Sequence, residues 1–532
     1  MYFFKRYVAY LFTALLPILL YIKLSYLWVH TGGLSSQQLK LELPIILIWL
    51  TVFYIPSISI FKNAFLSTIP ILSLYVLFDT FYHFLDKSPS VDDLKNITLI
   101  SDFSTLFVIA AVLLFLTTFM PIFSLFFLAK KKQKHQKKFY IVYIARLFFL
   151  ALVFFSITTK QVQEYILKQY QYLSWTQAKT IKKNGRFSSF IYFTLRRHKA
   201  KKILQSYKDK PIDIESTLFK TTYIPLQKRR NIYIVILESF LDPRLIKNVH
   251  FNNTPLSETL TPYLFHGDFS HIISSIYGGG TAQSEFEVLT GIPALGLVNS
   301  IEFNTLQGRP VSGFLHALKK NGYHTYATIA TSSIYYNAKS AYKSLGFDDV
   351  QFLEETDDFH RQKNDSKIFD GDLYSYNIKQ LHKNKFQQPY VSYLLGMYGH
   401  FPYNRNLKSR PDRIQTSATD DRIKRITNQF FYRTEALGTY IKSILSFDPH
   451  AIIFVSSDHL PPLFDKTIQY KLDKKTNIAL LYCDQPLDII SRYYYDIPRV
   501  IFHLLQKQNT KIEPLQKKQM RELYFKILSE SF

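Results

Sequence analysis

Apolar and polar positions divide this chain into two differently patterned parts. Residues 1–159 are almost continuously apolar, broken only by short charged loops. Five stretches, at 7–29, 43–62, 65–85, 103–129 and 139–159, are long enough to cross about 30 Å of hydrocarbon as helices. The third is the weakest, because it holds Asp79 and His83. The first is too long for a cleaved signal peptide, and no small-x-small cleavage site follows it. The pattern predicts a multi-pass α-helical membrane domain of five helices over 1–159.

After residue 230 the pattern changes to short β-rich runs separated by helical stretches. The runs are YIVIL (233–237), HIISSIY (271–277), YHTYATIA (323–330), YVSYLL (390–395), AIIFVSS (451–457) and IALLYC (478–483). Helical periodicity falls at 284–290, 311–321, 372–383 and 424–446. Strands apolar on both faces, alternating with helices, predict an α/β domain with a mostly parallel buried sheet over 231–510. Residues 511–532 read as a C-terminal tail. Residues 160–230 read as a connector.

Charge adds an orientation. The chain carries 65 Lys+Arg against 40 Asp+Glu, a formal +25. Lys5 and Arg6 precede the first stretch, and KKKQKHQKK (130–138) follows the fourth, whereas DKSPSVDDLKN (86–96) leans acidic. Positive loops stay in the cytoplasm. Five spans then put everything after 159 outside the cytoplasmic membrane, in a periplasm or at the cell exterior. Nucleic-acid binding is set aside, since a nine-residue lysine loop pinned between two spans suits a topology signal better. The connector holds 17 Lys+Arg and 4 Asp+Glu, so +13 of the charge sits there. Its aromatic and cationic blocks suit a membrane surface, with rings at headgroup level and cations on anionic lipid. The single Cys483 excludes a disulfide framework and thiolate zinc sites. The apolar and aromatic content excludes disorder.

In sheets of this kind ligands gather at the carboxyl ends of the strands. YIVIL ends in Glu238, HIISSIY in Gly278-Gly279-Gly280-Thr281, YVSYLL in Gly396-Met397-Tyr398-Gly399-His400, and AIIFVSS in Asp458-His459. Carboxylate, hydroxyl and imidazole suit one hard divalent cation, Mn²⁺, Mg²⁺ or Zn²⁺. The glycines admit a phosphate close to the backbone, and a helix N-terminus favours its charge. A cation beside Thr281 makes its hydroxyl a usable nucleophile. Blander roles stay open for each: a helix-capping acid at Glu238, an N-cap at Thr281, turn residues at Asp458-His459, a loop histidine at His400.

The segments ILESF (236–240), GGGTAQSEFEVLTG (278–291), YYNAKSAYKSLGFDD (335–349), YGHFPY (398–403) and SSDH (456–459) resemble, in order, the motifs of lipoteichoic acid synthases and related phosphoglycerol transferases. These belong to the sulfatase/alkaline phosphatase superfamily. The resemblance implies an α/β sulfatase-like domain behind the membrane domain. It implies Glu238, Thr281, Asp458 and His459 as metal ligands, with Thr281 the nucleophile and manganese the usual cation. It further implies phosphatidylglycerol as donor, a glycerophospho-threonine intermediate, and His400 at the substrate. The family's aromatic-Trp-Asn-Arg run, which grips glycerol phosphate, corresponds to Tyr335-Tyr336-Asn337-Ala338, so Tyr336 and Asn337 remain on the substrate side while the arginine is absent. Thr328 and Ile329 stand where the family has a further histidine, and Gly280 where it has a lysine. Arg405, five residues after His400, is the candidate to supply the missing cation.

Three functions compete at this stage. The first is a membrane-bound transferase that moves a phosphoglycerol-type headgroup to an extracytoplasmic glycan or glycolipid. The second is a sister chemistry on the same fold, phosphoethanolamine transfer or ester hydrolysis; no Cys/Ser-x-Pro-x-Arg stretch supplies a sulfatase formylglycine. The third is a catalytically inactive membrane scaffold.

Overall fold

The computed structural model describes residues 2–29, 33–85, 88–89, 91, 116–125, 127–128, 136–173, 177–299, 301–333, 335–356, 359, 361–384, 389–461, 463, 468–489, 492–506 and 512–532. The chain folds as two units, Met1–Lys202 and Ile203–Phe532. The stretch read as a connector is divided between them.

In the first unit, two helices among the described residues are long and apolar enough to cross a membrane, Phe4–Leu24 and Ile60–Tyr82. A third candidate is a pair, Ile144–Ile157 and Lys160–Gln169, bent by 73°. The stretch at 43–62 is not one helix. Helix Ser36–Phe53 starts on the Ser35 cap and carries Lys40 and Glu42 in its first half. It ends before Ile55-Pro56, where the residue preceding a proline disfavours helical backbone, and a new helix starts at Ile60. Of the fourth expected span, Leu116–Leu125 is an apolar helix and 103–115 lie outside the described residues. So do Lys130, Lys131, Lys132 and Lys134 of the lysine loop, 92–96 of the acidic loop, and Trp175.

This unit exposes apolar side chains and buries polar groups among an apolar interior. Phe12 and Phe61 are 74% and 77% exposed, while the Tyr10 hydroxyl is buried and donates to Leu50 O (2.8 Å) and Ser67 Oγ (2.9 Å). Helices that face lipid are expected to associate in this way. Asp79, the residue that weakens the third stretch, is fully buried. It accepts from Arg186 Nε (2.9 Å) and Nη2 (2.7 Å) and from the Tyr21 hydroxyl (2.9 Å).

The second unit is built on a nine-stranded mixed sheet: β1 Ile232–Leu237, β2 Ser270–Ile273, β3 His324–Ile329, β4 Asp349–Phe352, β5 Tyr390–Gly396, β6 Ile452–Ser457, β7 Thr476–Cys483, β8 Gln485–Leu487 and β9 Arg492–Tyr493. Its order is β4-β3-β5-β1-β6-β7-β2-β9, with β8 on β7. The five strands β4, β3, β5, β1 and β6 run parallel, and β7 turns antiparallel beside β6. Every residue of β1 is buried, as its unbroken apolar run requires.

Helices cover both faces. Successive side chains on a strand point to opposite faces. Ser392 of β5 accepts from Asn377 of helix Asp370–Asn384 (3.2 Å), and its neighbour Tyr393 donates to Glu285 of helix Thr281–Thr290 (2.7 Å). These two helices therefore lie on opposite sides of the sheet. The unit extends past both ends expected for it. Phe219 stacks on Phe502 (4.3 Å between centroids), and the segment read as a tail forms helix Lys517–Ser531, whose buried Tyr524 hydroxyl accepts from Leu297 N (3.0 Å).

Candidate active site

The register of the sheet assembles the site. Leu237, the last residue of β1, pairs with Gly396 of β5 and with Ser457 of β6. Glu238 and Asp458 are therefore one residue beyond the same level on adjacent parallel strands. The ladder continues there, with Glu238 N donating to Gly396 O (2.8 Å) and Asp458 N to Leu237 O (3.1 Å).

Thr281 arrives from the side. Strand β2 stops at Ile273, short of the expected Tyr277, and the chain bends to the glycines. Gly278, Gly279 and Gly280 all have positive φ (71°, 148° and 94°), a backbone path that excludes ordinary side chains. Gly280 is the helix N-cap, so Thr281 is the first helical residue and does not cap. Its hydroxyl instead donates to Glu238 Oε2 (3.0 Å).

Glu238, Asp458 and His459 are buried and each offers a ligand atom within 4.8 Å of the others. Asp458 Oδ1 is held by the backbone N–H groups of Ser239 (2.8 Å) and His459 (2.6 Å), and the Asp458 carbonyl by the Ser284 hydroxyl (2.7 Å). His459 Nδ1 lies 3.0 Å from Leu460 O, which fixes the tautomer with the proton on Nδ1. The remaining atoms, Asp458 Oδ2 and His459 Nε2, are buried without a hydrogen bond and face each other at 3.2 Å; Glu238 Oε1 is 3.6 Å from Nε2. Buried polar atoms rarely go unsatisfied. Two carboxylates and one imidazole with lone pairs converging fit a divalent cation, and the all-O/N set suits a hard or borderline ion.

Electrostatics agree with that fit. Burial and the neighbouring Glu238 push the Asp458 carboxyl up to about 7. Burial also raises Glu238, but the His459 and His400 imidazoles and the hydroxyls of Ser239 and Thr281 outweigh it and hold it below the ordinary range. Burial lowers His459, and the Asp458 and Glu238 carboxylates reverse this and raise it. The cluster is short of positive charge.

The other expected residues divide. His400 stands near Glu238 on the loop after β5, with Nδ1 2.8 Å from Phe401 O. Gly399 lets that loop close on β1, since a Cβ there would stand 2.0 Å from Glu238 O. Tyr336 lines a cavity beside Thr281 and has a strained φ of 51°. Asn337 does not face that cavity; its amide donates to Phe303 O (2.9 Å) and Leu306 O (2.7 Å) and anchors a turn. Arg405 is corrected as well. Its side chain is 2% exposed, donates from Nε to Arg410 O (2.8 Å) and pairs with Asp412, so its charge is consumed within its own loop. Missed by the sequence reading are Glu285, Thr331, Tyr335 and Tyr342, which line the cavity with Thr281. Glu285 had a signal, since it lies one helical turn after Thr281.

Residues 230–481 match the sulfatase family. A putative cyclic beta-1,2-glucan modification protein of Rhizobium meliloti is 24% identical over 238 residues, 44% of this chain and 36% of that protein, so the chain spans about a third of that relative. Among solved structures, a lipoteichoic acid synthase of Listeria monocytogenes aligns with 18% identity, TM-score 0.43, over 58% of this chain and 77% of its own. A Streptococcus pyogenes phosphoglycerol transferase in complex with sn-glycerol-1-phosphate aligns with 15% identity, TM-score 0.44, over 63% and 91%. With its aligned strand ends and its converging acid, imidazole and hydroxyl groups, the chain carries a sulfatase-family domain over residues 230–481, preceded by apolar N-terminal helices.

Proposed function

We propose that this chain is a metal-dependent transferase of the cytoplasmic membrane. It moves a phosphoglycerol-type headgroup from phosphatidylglycerol to an extracytoplasmic glycan or glycolipid. The observation that carries this reading is the Thr281 hydroxyl. It stands at a helix start behind three glycines, 3.0 Å from Glu238 Oε2 and beside two buried ligand atoms that have no hydrogen bond. A divalent cation, manganese in the first instance, held by Glu238, Asp458 and His459, supplies Lewis-acid charge to the hydroxyl and the phosphoryl group.

The chain's own residues account for the remaining steps. Thr281 Oγ bonds to phosphorus, the bond from phosphorus to the diacylglycerol oxygen breaks, and diacylglycerol leaves with a proton. The hydrogen bond to Glu238 directs the threonine proton away from the attacking lone pair. An acceptor hydroxyl then attacks the phospho-threonine, loses its proton and restores Thr281. His400, with Nδ1 engaged by Phe401 O, has Nε2 available for that proton. The helix N-terminus favours the phosphate charge throughout.

The test is mass spectrometry of the full chain after incubation with phosphatidylglycerol vesicles and Mn²⁺. An adduct of glycerophosphate mass on Thr281, with diacylglycerol released, is expected. An adduct formed only from phosphatidylethanolamine assigns the sister activity. Turnover with no adduct, retained in Thr281→Ala, makes water the nucleophile and overturns the transferase reading.

A further inference from the structure

The first unit carries an open groove of about 500 Å³ that has no part in the chemistry proposed at Thr281. It runs between helices Tyr2–Leu24 and Ile60–Leu85, which lie side by side in the same direction. Arg6 Nη2 donates to Ile58 O (2.8 Å), the Thr68 hydroxyl to Ala14 O (3.2 Å) and the Tyr21 hydroxyl to Asp79 Oδ2 (2.9 Å). Residues four apart on a helix share one face, and pairs of this kind shape the groove. Thr13 and Pro17 form one wall, Phe61 and Phe65 the other, and Ala64 and Thr68 the floor. The small floor residues are 2% and 3% exposed, whereas Phe61 and Phe65 stand 77% and 65% exposed. The Thr13 hydroxyl donates to Ala9 O (2.8 Å), so both hydroxyls in the lining are engaged by backbone carbonyls and the surface offered is apolar.

One end of the groove is charged. Lys62 lines it and is exposed. Arg6, through its bond to Ile58, and the exposed Lys5 belong to the same end. Among the described residues, no acid pairs with any of the three. From Lys62 to Leu72, the last residue of the lining, the helix is about 15 Å long, half of about 30 Å of hydrocarbon. The groove therefore has the depth of one leaflet, with its cation at the headgroup edge. The positive-inside rule makes the Lys5–Arg6 end cytoplasmic, and the cytoplasmic leaflet is the one rich in anionic lipid.

We infer that this groove holds one anionic phospholipid of the cytoplasmic leaflet, with an acyl chain along Ala64 and Thr68 and its phosphate on Lys62. Charge complementarity selects this occupant. A zwitterionic lipid fills the same apolar length but brings its own cation to a rim that already has three. A helix of a second copy would leave Lys62 in an apolar contact without an anion, which is costly at membrane depth. This occupancy is independent of the chemistry at Thr281.

The experiment is native mass spectrometry of the detergent-solubilised full chain with a metal chelator present. The probes are phosphatidylserine, an anionic lipid that is not the proposed donor, and phosphatidylcholine with the same acyl chains. The wild-type chain is expected to retain one phosphatidylserine, roughly fivefold or more in preference to phosphatidylcholine. Lys62→Ala, a change at an exposed position, should bring that ratio toward one. Thr13→Trp, which fills the groove from its wall, should weaken retention of both lipids, with its melting temperature reporting that the chain is folded. Equal retention of the two lipids by the wild type overturns the inference, as does an unchanged ratio in Lys62→Ala. Full retention in a folded Thr13→Trp places the lipid elsewhere. A lipid-free wild-type dimer that Thr13→Trp dissociates makes a second copy the occupant. If Thr13→Trp does not fold, the Lys62→Ala ratio decides.

Discussion

Removing the charge of Asp458 tests the metal cluster without touching the nucleophile. In the metal-free chain, burial and Glu238 raise the Asp458 carboxyl from 3.8 to about 7. The folded state then holds a proton that the unfolded chain releases. Stability contributed by such a group is fully present below the ordinary carboxylate range and is lost as pH rises toward 7. At about 1.4 kcal/mol per unit, the loss is on the order of 4 kcal/mol. His459 adds to the trend, because its raised value means stability lost as pH rises through it. Glu238 opposes the trend only below the ordinary carboxylate range, where its lowered value makes falling pH destabilising. Chelator-treated wild-type protein should therefore melt at progressively lower temperature from pH 5 to 8. Adding Mn²⁺ at a hundredfold excess over its dissociation constant should restore about 2.7 kcal/mol, or roughly 4–8 °C in a unit of this size. Asp458→Asn keeps the shape and removes the charge, so the pH trend should become shallower, the buried Glu285, Glu287 and Glu302 keeping their share of it, and the Mn²⁺ shift should disappear. Differential scanning fluorimetry of detergent-solubilised full chain reads both. A full Mn²⁺ shift in Asp458→Asn, or wild-type stability that rises from pH 5 to 8 without metal, would refute the cluster as a cation site.

Thr281→Ala should abolish diacylglycerol release at a cost of about 1 kcal/mol or less in stability, since Gly280 and not Thr281 is the helix cap; Thr281→Ser should retain part of the activity. His400→Ala should lower turnover roughly 10²–10⁴-fold and leave manganese content, measured by atomic emission, at the wild-type level. Asp79→Asn leaves Arg186 buried with half its partner removed, so the protein should lose about 3–5 kcal/mol in chemical unfolding, and Asp79→Asn with Arg186→Met should recover much of that. An alkaline phosphatase reporter fused after residue 220 should be active, and a cytoplasmic reporter at that position silent.

The sequence exposed what depends on composition and order along the chain. Each of the six apolar β runs holds a strand; five of them are buried on both faces, which leaves a nearly unbroken apolar signature, and the short β2 is buried on one face only. Strands β4, β8 and β9 left none, being two to four residues long and at least partly exposed. The convergence of Glu238, Asp458 and His459 was legible because residues that follow strands in a parallel sheet share one edge, whereas Thr281 lies well past the end of β2 and reaches them through the glycine turn. What those side chains do not share with their neighbours was not legible. Arg405 looked available until its loop folded onto Asp412, and Asn337 looked like a substrate ligand until its amide was taken by two backbone carbonyls. A sequence states which donors exist. Only the fold states which are already used. Glu285 was hidden for the converse reason, as its meaning lies in two tyrosines 57 and 108 residues away.

Asp79 makes the same point in the membrane unit and bears on sidedness. Read alone, it weakens a span. In the fold it is one of three groups on Arg186, which also donates to Ser25 Oγ (2.7 Å) and whose backbone N–H donates to Glu42 (2.6 Å). Ser25 follows the end of helix Tyr2–Leu24, Glu42 lies near the start of helix Ser36–Phe53, and Asp79 lies near the end of helix Ile60–Leu85. Three helices that alternate in direction therefore present the same end to Arg186. If Lys5 and Arg6 hold the other end in the cytoplasm, Arg186 stands on the far side. This inference does not depend on counting the helices between residues 86 and 159. Contacts place Arg186 and parity places the chain after residue 159, and both start from Lys5 and Arg6 in the cytoplasm. An intramembrane acid is costly unless paired, so the residue that made the span doubtful is also the one that ties the basic segment after residue 159 to a particular side of the membrane.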